Sequence, residues 1–514
     1  MNRILKNTVT VGMFTALSRV LGLVREMLQS RFIGAGVEQS AFTLAFALPN
    51  MARKLFGEGA LTAAFVPVFK GEVEAHAMDS ARRLARSVMT MAVLMLVSIV
   101  AVALISLETV VHFRLDFGLS DRALLTVRLV KTLLPYMIFI CGAAFGMGVL
   151  NAMGRFKASS AMPCLLNVFW IGILLWICFH PELKLDQRIY RVAAAILVAG
   201  AVQMSFMLWR MHCAGVTPMI SFKGWNDDKV RLVWKNTAIG AIGAGAVQIN
   251  YMLDQVLGQI AAPWAAGVIG YAERLMDLPL GVIGVAFGTV LLPTFAGFFS
   301  KNDTEGAKEA FVSSSRQMLF VMVPAAVGLC VLADDVTAVI YRGGAFDDVA
   351  VLRVSRAVAV YAVGLVFFGL QKSLVPWFQA QNDMKTPLRV SVWAVCLNAV
   401  LNVLSVFCLP IEWRHVGLAA STVLCSGCST VFLVNEAHRR NGSVGIRRLV
   451  MPVGKMLTGS ALMSVVILLI RRFVDLPPVL FVAVAISAGG AVYFVSMAAM
   501  GMKWSRRSAS AASR

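Results

Sequence analysis

Three arginines lie in the middle of long apolar segments near the N-terminus, where a helix surrounded by lipid does not carry charge. The segments cover residues 8–32 and 41–69, and the arginines are Arg19, Arg25 and Arg53. A helix rises about 1.5 Å per residue, so about 20 residues cross the hydrocarbon of a bilayer. The three charges are therefore expected inside the membrane, where a central arginine costs about 3 kcal/mol.

Two explanations for these charges remain open from the sequence. The arginines can pair with Glu26 and Glu58 and so hold helices together. Arg19 and Glu26 are consistent with such pairing because, seven residues apart, they share one helix face. Alternatively, the arginines can line a water-filled cavity for a phosphate-bearing substrate, because the planar guanidinium binds phosphate oxygens through two hydrogen bonds.

The composition is typical of a protein that crosses the membrane many times. Of 514 residues, 59% are hydrophobic and only 14% are charged. The mean hydropathy is +0.77, far above that of soluble proteins. A net charge of +20 would suggest a nucleic-acid partner in a soluble protein. Here the basic residues concentrate in alternate loops, as the positive-inside rule describes, so we expect no nucleic-acid partner.

The hydropathy pattern predicts an all-α integral membrane protein with fourteen transmembrane helices. Their approximate limits are 8–33, 40–68, 87–111, 128–152, 158–180, 190–212, 234–262, 267–296, 316–341, 355–380, 387–410, 415–437, 449–470 and 478–501. Basic residues are frequent at both termini and in the loops at 70–86, 213–235 and 438–448. Both termini are therefore predicted to be cytoplasmic.

Two pairs of segments indicate an internal repeat. Residues 150–157 align with 378–385, and 65–67 align with 291–293, at offsets of 228 and 226. A duplication of six spans gives two six-helix lobes related by a pseudo-twofold axis along the membrane normal. The predicted division is an N-lobe at 1–212, a cytoplasmic linker at 213–235, a C-lobe at 236–438, two extra C-terminal helices at 439–502 and a basic disordered tail at 503–514.

The second half carries a different set of intramembrane charges. Glu273 and Asp277 lie one turn apart in span eight, with Arg274 beside them. This group is either a self-neutralised cluster at the outer end of the span or part of a substrate site. Asp254 in span seven either pairs with Lys372 in span ten or belongs to a cation site.

The sequence lacks the common motifs of enzyme chemistry. There is no Gly-x-Ser-x-Gly, no phosphate-binding P-loop and no His-Glu-x-x-His. The six histidines fall in loops or at span ends, and neither they nor the nine scattered cysteines have metal-ligand spacing. These absences predict a transporter rather than an enzyme, with no metal and no cofactor.

Four longer motifs support a resemblance to a known family. They lie at Ser18–Glu26 (SRVLGLVRE), Leu48–Pro67, Tyr271–Pro293 and Gln381–Pro387. Together they resemble the MurJ/MviN family, the bacterial lipid II flippases of the multidrug/oligosaccharidyl-lipid/polysaccharide exporter superfamily. The resemblance implies a two-lobed fourteen-helix fold in the bacterial cytoplasmic (inner) membrane, with a central cationic cavity. It also implies movement of lipid II from the inner to the outer leaflet for peptidoglycan synthesis.

The resemblance assigns roles to particular residues. The family's functional arginines correspond to Arg19, Arg25, Arg53 and Arg274 as ligands of the diphosphate headgroup. The residues expected to support the cavity or its gating are Glu26, Glu58, Glu273, Asp277 and Lys372. The helices at 449–470 and 478–501 correspond to a pair thought to hold the lipid tail.

Two points of the family pattern bear on regulation. Many members have an aspartate where this chain has Ser40, so the role of that acid is expected to be absent here or carried by a residue such as Glu38. Some members resemble sodium-coupled transporters, and Asp254 is the nearest candidate for a monovalent-cation ligand. The membrane potential is the other candidate for coupling, because an inside-negative potential favours an arginine-rich lobe that faces the cytoplasm.

Two alternatives stay open. The first is an exporter of another anionic lipid-linked saccharide; an exporter of organic cations would line its cavity with acids instead. The second is a non-transporting scaffold of the wall machinery, which would tolerate neutral residues in place of the three arginines. The expected partners are lipid II, membrane lipids and proteins of cell-wall synthesis and division.

Overall fold

The computed structural model of the protein describes residues 3–57, 59–75, 78–113, 120–222 and 226–502, and these residues are overwhelmingly helical. The described ranges contain an isolated β-bridge between Gly343 and Phe346 but no strand. The α-helices are α1 Arg3–Ile33, α2 Val37–Ala52, α3 Ala60–Glu74, α4 Met78–His112, α5 Asp121–Leu133, α6 Tyr136–Ala152, α7 Phe156–Cys178, α8 Leu185–Cys213, α9 Asp228–Ala261, α10 Ala265–Ser300, α11 Thr304–Val331, α12 Ala333–Tyr341, α13 Asp348–Ala380, α14 Lys385–Cys408, α15 Arg414–Asn441, α16 Arg447–Phe473 and α17 Pro478–Ala499. The predicted all-α fold class is confirmed.

Ten helical segments of the described chain are long and apolar enough to cross a membrane. The four remaining predicted spans, 8–33, 40–68, 234–262 and 267–296, are helical where the structure describes them, and they are not among these ten segments. The exact number of fourteen spans therefore stays a prediction.

Several helices extend beyond the predicted spans because hydropathy marks only their apolar part. The third span was predicted at 87–111, whereas α4 begins at Met78 and includes Asp79 and Arg82 in its first turns. The fourth span, predicted at 128–152, is two helices. They meet at Pro135, which has no N–H to donate to the preceding turn.

The chain forms two compact units. Unit 1 comprises Met1–Gly267 with the short segment Gly343–Asp347, and unit 2 comprises Val268–Arg342 with Asp348–Arg514. Helix α9 belongs to unit 1 because it packs against α2, α3 and α4. At one such contact, a Cβ atom on Gly240 of α9 would lie 3.1 Å from the Cβ atom of Ala60. The predicted lobes follow an internal repeat rather than contact density, so their limits stay a prediction.

The 343–347 segment packs onto the end of α1 within unit 1. The amide of Ala345 donates to the carbonyl oxygen of Arg31 at 2.9 Å. Gly344 has φ +59°, and a Cβ atom there would lie 2.2 Å from that same oxygen. Gly34 has φ +79°, and its Cβ atom would lie 2.4 Å from the carbonyl oxygen of Ala345. Both positions therefore require glycine for the backbone to approach so closely.

Unit 2 has its core between α11, α13 and α15, with α16 packed on α11 and paired with α17. The centre of one part of this core is Trp377, which is 1% exposed. The rings of Phe295, Phe299 and Phe311 meet its indole edge-on at 5.0 to 5.6 Å between centroids. Such edge-to-face contacts contribute about 0.5–1.5 kcal/mol each beyond the area they bury.

The aligned segments 150–157 and 378–385 adopt the same turn. Gly154 has φ +72° and Asn382, 228 residues later, has φ +59°. The amide of Arg155 donates to the carbonyl of Leu150 at 2.8 Å, and in the second copy the amide of Asp383 donates to that of residue 378 at 3.0 Å. The same backbone path therefore recurs at the offset on which the predicted repeat was based.

In the second copy, Asp383 joins this turn to the end of α15. Its Oδ1 accepts hydrogen bonds from the backbone amides of Lys385 (2.9 Å) and Thr386 (3.0 Å), and its Oδ2 accepts one from Arg440 at 2.5 Å. Burial opposes ionisation of this carboxyl group. The hydrogen bonds from Thr386 and Arg440 outweigh burial and lower the pKa of Asp383 from 3.8 to about 2.

We expect Asp383→Asn to destabilise the purified protein by about 1 kcal/mol at neutral pH, because it removes a charge-assisted bond to Arg440. The lowered pKa means that the ionised carboxylate stabilises the fold fully above pH 3.8, and that this contribution is lost as the pH falls through about 2. The thermal midpoints of wild type and variant in detergent should therefore converge on acidification below pH 3.8.

The matched control is Asp79→Asn, since Asp79 forms an ion pair with Arg82 but its side chain is 82% exposed. We expect little change in the midpoint at any pH for this control. A midpoint difference for Asp383→Asn that persisted unchanged at pH 2 would contradict the assignment.

Candidate functional site

Unit 1 contains a cavity of about 620 Å³ between α1, α3, α6 and α7, lined by both polar and apolar residues. Its polar lining consists of Thr15, Ser18, Arg19, Thr62, Asn151, Ser159 and Ser160. Helix α1 supplies three of these side chains because residues 15, 18 and 19 share one face at helical spacing. The exposed Arg19 therefore brings a guanidinium to a cavity whose other lining side chains carry hydroxyl, amide and apolar groups.

Two residues that line this cavity each have a buried polar atom without a hydrogen-bond partner among the described residues. They are Asn151 Oδ1, at the end of α6, and Ser159 Oγ, in the first turns of α7. Buried polar atoms are nearly always paired with protein, water or ligand. Both atoms are buried behind the cavity surface, whose lining combines polar and apolar side chains.

Arg25 lies deeper in unit 1, on the face of α1 that packs against α7. Its side chain is 11% exposed. One terminal nitrogen donates to Asn167 Oδ1 at 3.0 Å, and the other pairs with the carboxylate of Glu26. Its guanidinium carbon lies 4.4 Å from the ring centre of Trp170. Asn167 in turn donates to the carbonyl of Ser18, so α1 and α7 are joined at the level of the arginines.

Arg53 lies on a π-helical turn, Arg53–Gly57, that interrupts the second span. Its Nε and a terminal nitrogen both donate to Asn50 Oδ1, at 3.3 and 3.0 Å. The span was predicted as one segment at 40–68, but it is α2, the π-turn and α3. A Cβ atom on Gly59 would lie 2.3 Å from the carbonyl of Lys54, so the backbone can fold back only at glycine. π-Turns inside helices are frequent at functional sites.

The structure separates the predicted site residues between the two units. Arg19, Arg25, Arg53, Glu26 and Asp254 lie in unit 1. Glu273, Arg274, Asp277 and Lys372 lie in unit 2. Glu58 lies outside the described residues. In unit 2, Arg274, Asp277 and Lys372 are exposed and Glu273 is half-buried. The roles assigned to all these residues stay predictions.

Asp254 is buried in α9, where it is 4% exposed. Asn250, one turn earlier, approaches it with Nδ2 at 3.4 Å from Oδ2. Gln255 beside it is fully buried, and neither polar atom of its amide has a hydrogen-bond partner among the described residues. The described residues contain no group of three or more histidine, cysteine or acidic side chains that could hold a metal. A cation site at Asp254, or its pairing with Lys372, therefore stays a prediction.

Ser40 has a defined contact that sequence reasoning did not anticipate. The amide of Gly267, in the first turn of α10, donates to Ser40 Oγ at 2.9 Å in a fully buried position. The first amides of a helix need acceptors, and a hydroxyl oxygen is one. Ser40 therefore accepts a hydrogen bond from a helix amide here, and the role of the family's acid stays a prediction.

Unit 2 contains an apolar groove of about 470 Å³ between α11, α13, α15 and α16. Its wall includes Phe311, Leu319, Leu370, Leu449 and Val453. A groove with this lining suits a hydrocarbon chain. It involves α16, the first of the two helices that the family resemblance connects with the lipid tail.

Sequence reasoning missed the side chains that surround Arg25. Asn167 and Trp170 contact Arg25, and Gln29 accepts a hydrogen bond from Trp170. Each of these three side chains belongs to a residue that is at least 95% buried. The available signal was an amide side chain within an apolar span, at residues 29 and 167. The pattern could not indicate which arginine these amides would meet.

Comparisons of the sequence with known proteins agree on one family. The family model described as lipid II flippase MurJ matches residues 29–489. A probable lipid II flippase MurJ of Rhizobium tropici is 32% identical over 467 residues, which cover 90% of this chain and 86% of the relative. The lipid II flippase MurJ of Burkholderia cenocepacia is 30% identical over 443 residues, covering 84% and 83% of the two chains.

Solved structures of similar fold include two kinds of transporter. A lipid II flippase MurJ in an inward closed conformation has a TM-score of 0.79 at 20% identity, covering 96% of this chain and 98% of that chain. An inward-facing multidrug resistance transporter of the MATE family has a TM-score of 0.69 at 13% identity, covering 83% and 95%. At these identities the similarity establishes the fold.

Proposed function

The chain belongs to the MurJ family of lipid II flippases, and from this premise we propose that it moves lipid II to the outer leaflet by alternating access through an arginine-lined cavity. As a member of this family it is a transporter rather than an enzyme. Its apolar helices and its family make it a multi-pass protein of the bacterial inner membrane. The proposal concerns how the arginines of unit 1 act on the substrate.

The observation that carries the proposal is the position of Arg19 on the wall of the 620 Å³ cavity, with Arg25 on the same helix. The diphosphate of lipid II is charged and cannot cross hydrocarbon alone, because an unpaired ion loses its hydration there. Guanidinium groups replace this hydration with charge-assisted hydrogen bonds. The hydroxyl and amide groups around Arg19 suit the sugar and peptide of the same headgroup.

Transport then requires the protein to expose this cavity to each side of the membrane in turn. Two conformations that bind the headgroup with different affinities exchange, and substrate shifts their populations. The polyprenyl tail stays in the bilayer or lies in the apolar groove beside α16, where Leu449 and Val453 provide a hydrocarbon surface. Only the charged headgroup needs a polar path.

We propose that both termini are cytoplasmic and that transport is coupled to an energy source. The basic N-terminus, basic loops and basic tail support the orientation through the positive-inside rule. The membrane potential, or a monovalent cation at the buried Asp254, would supply the coupling. Proteins of wall synthesis and division are proposed partners, since the flipped lipid is their substrate.

The test uses cells depleted of their own lipid II flippase. Expression of this chain should make lipid II accessible to an impermeant probe at the outer face of the membrane. A variant with Arg19→Ala, Arg25→Ala and Arg53→Ala together should insert normally and restore no access. Failure of well-inserted wild-type protein to restore access would contradict the proposal, and would favour another anionic lipid-linked saccharide or a scaffold role.

A further inference from the structure

Arg25 and three buried neighbours form a hydrogen-bonded cluster between α1 and α7. Arg25 and Gln29 lie one turn apart on α1, and Asn167 and Trp170 lie one turn apart on α7. Arg25 donates to Asn167 at 3.0 Å, and Trp170 Nε1 donates to Gln29 Oε1 at 3.0 Å. The indole of Trp170 is thus fixed at one edge while its face lies 4.4 Å from the guanidinium carbon of Arg25.

The far end of Gln29 is fixed as well. Its Nε2 donates to Gln39 Oε1 at 2.9 Å, and Gln39 approaches Thr43 with its own amide nitrogen at 3.4 Å. Gln29 is 2% exposed and Gln39 is 7% exposed, so these amides are held by protein rather than water. The orientation of the Trp170 ring is therefore set by a chain of hydrogen bonds that reaches α2.

The ring is also held by packing. Phe42 and Phe46, one turn apart on α2, meet the indole of Trp170 edge-on at centroid distances of 5.5 and 5.4 Å. Trp170 is 4% exposed. Its rotation would break the bond to Gln29 and two aromatic contacts together, so the ring presents one fixed face to Arg25.

The chemistry of these neighbours matters for a cationic site. A tryptophan face attracts a guanidinium and orients its plane, and an amide oxygen accepts one of its hydrogen bonds. Both groups are neutral, so they hold Arg25 without cancelling its charge. Glu26 does partly cancel it, and an anionic ligand would compete with this carboxylate for the same guanidinium.

We propose that Trp170 is a positioning residue for Arg25, and that Gln29 braces it, so that the guanidinium is oriented in advance to bind the diphosphate of the substrate. This inference rests on the proposed function for the identity of the ligand. The orientation of Arg25 itself is independent of that identity, so the two can be tested separately.

The first experiment is a double-mutant cycle on the purified protein with lipid II as the probe. We expect Trp170→Leu to weaken lipid II binding about tenfold, since a desolvated cation–π contact and the orientation that it provides are lost. In an Arg25→Gln background the same substitution should weaken binding less than about twofold, because the cation that Trp170 orients is absent. Equal losses in both backgrounds would overturn the positioning role.

Conservative variants and a control guard against a simple folding defect. Trp170→Phe keeps an aromatic face and Gln29→Met keeps the volume, so each should retain the fold and lose affinity by an intermediate factor. Trp377→Leu removes an equally buried tryptophan of unit 2, and should leave lipid II affinity unchanged in the monodisperse protein. A loss of affinity in Trp377→Leu equal to that in Trp170→Leu would also overturn the proposal.

The second experiment needs no substrate. Phenylglyoxal labels arginines, and the exposed Arg19 on the same helix serves as an internal reference for Arg25. Trp170→Leu and Gln29→Met should raise the labelling of Arg25 relative to Arg19 severalfold, measured by mass spectrometry. An unchanged ratio would overturn the positioning role. A raised ratio in a protein that does not bind lipid II would support it while contradicting the proposed function.

Discussion

We expect Arg19→Ala, Arg25→Ala and Arg53→Ala each to abolish the growth of cells that depend on this chain as their lipid II flippase, with normal amounts of protein in the membrane. Each substitution removes hydrogen bonds to a charged group, which contribute about 1.5–3 kcal/mol apiece. Replacing a central arginine by alanine also lowers the cost of membrane insertion by about 3 kcal/mol, so insertion should not suffer. Growth and quantified membrane levels are the measurements.

Two comparisons make this prediction specific. Arg→Lys at the same three positions should be only partly tolerated, because lysine keeps the charge but cannot bind two phosphate oxygens through a planar fork. Arg191→Ala is the matched control: Arg191 is exposed on α8 of the same unit and lies over Trp176 at 5.6 Å. Normal growth of all three alanine variants would contradict the role of the arginines. Full activity of all three lysine variants would show that charge alone suffices.

The second large effect is expected at Gly344, where the 343–347 segment packs onto the end of α1. Gly344→Ala places a Cβ atom 2.2 Å from the carbonyl oxygen of Arg31, at a φ of +59°. The backbone conformation alone costs about 1–2 kcal/mol for a residue with a side chain. The contact with a backbone oxygen cannot be relieved by a side-chain rotation. We therefore expect the segment to leave α1 and the amide of Ala345 to exchange hydrogen at least tenfold faster.

Gly154→Ala is the control for Gly344→Ala, because it separates the backbone strain of a positive φ from the collision of the Cβ atom with a neighbouring oxygen. Gly154 has φ +72°, but a Cβ atom there meets no atom within 4 Å. Gly154→Ala therefore carries the backbone cost without the collision, and should change hydrogen exchange only in its own turn. Slow exchange at Ala345 in Gly344→Ala, equal to that in wild type, would show that the segment is held by other contacts.

The helices could be predicted from the sequence because hydropathy and helical content follow from local residue type. The interruptions were harder. The π-turn at 53–57 is followed by Gly59, where a Cβ atom would collide with the carbonyl oxygen of Lys54. A glycine in a sequence allows such a backbone conformation, but it does not show that the chain adopts it. The predicted single span at 40–68 therefore missed the break beside Arg53.

The charged residues were found from the sequence, but their neighbours were not. Arg25 could be identified from the sequence because a charged side chain inside an apolar span costs free energy whatever its neighbours are. Its contacts with Asn167 and Trp170 cross 142 and more residues of chain and depend on how α1 packs against α7. Likewise, the bond from Gly267 to Ser40 joins residues 227 apart. Periodicity within one helix holds no information about such pairs.

Helices that pack together in unit 1 are not always neighbours in the sequence, and this limits where the chain can be divided into two fragments. Helix α9 packs with α2, α3 and α4, yet it is separated from them by α5 to α8 and by the connection at 214–227. That connection is fastened to α4, where Arg82 and Arg86 donate to the carbonyls of Gly215 and Thr217 at 2.7 and 2.9 Å. A gene divided at this connection would encode a first fragment whose core lacks one wall. For segmental isotope labelling by co-expression of two fragments, the chain should therefore be divided after α9 rather than in the connection at 214–227.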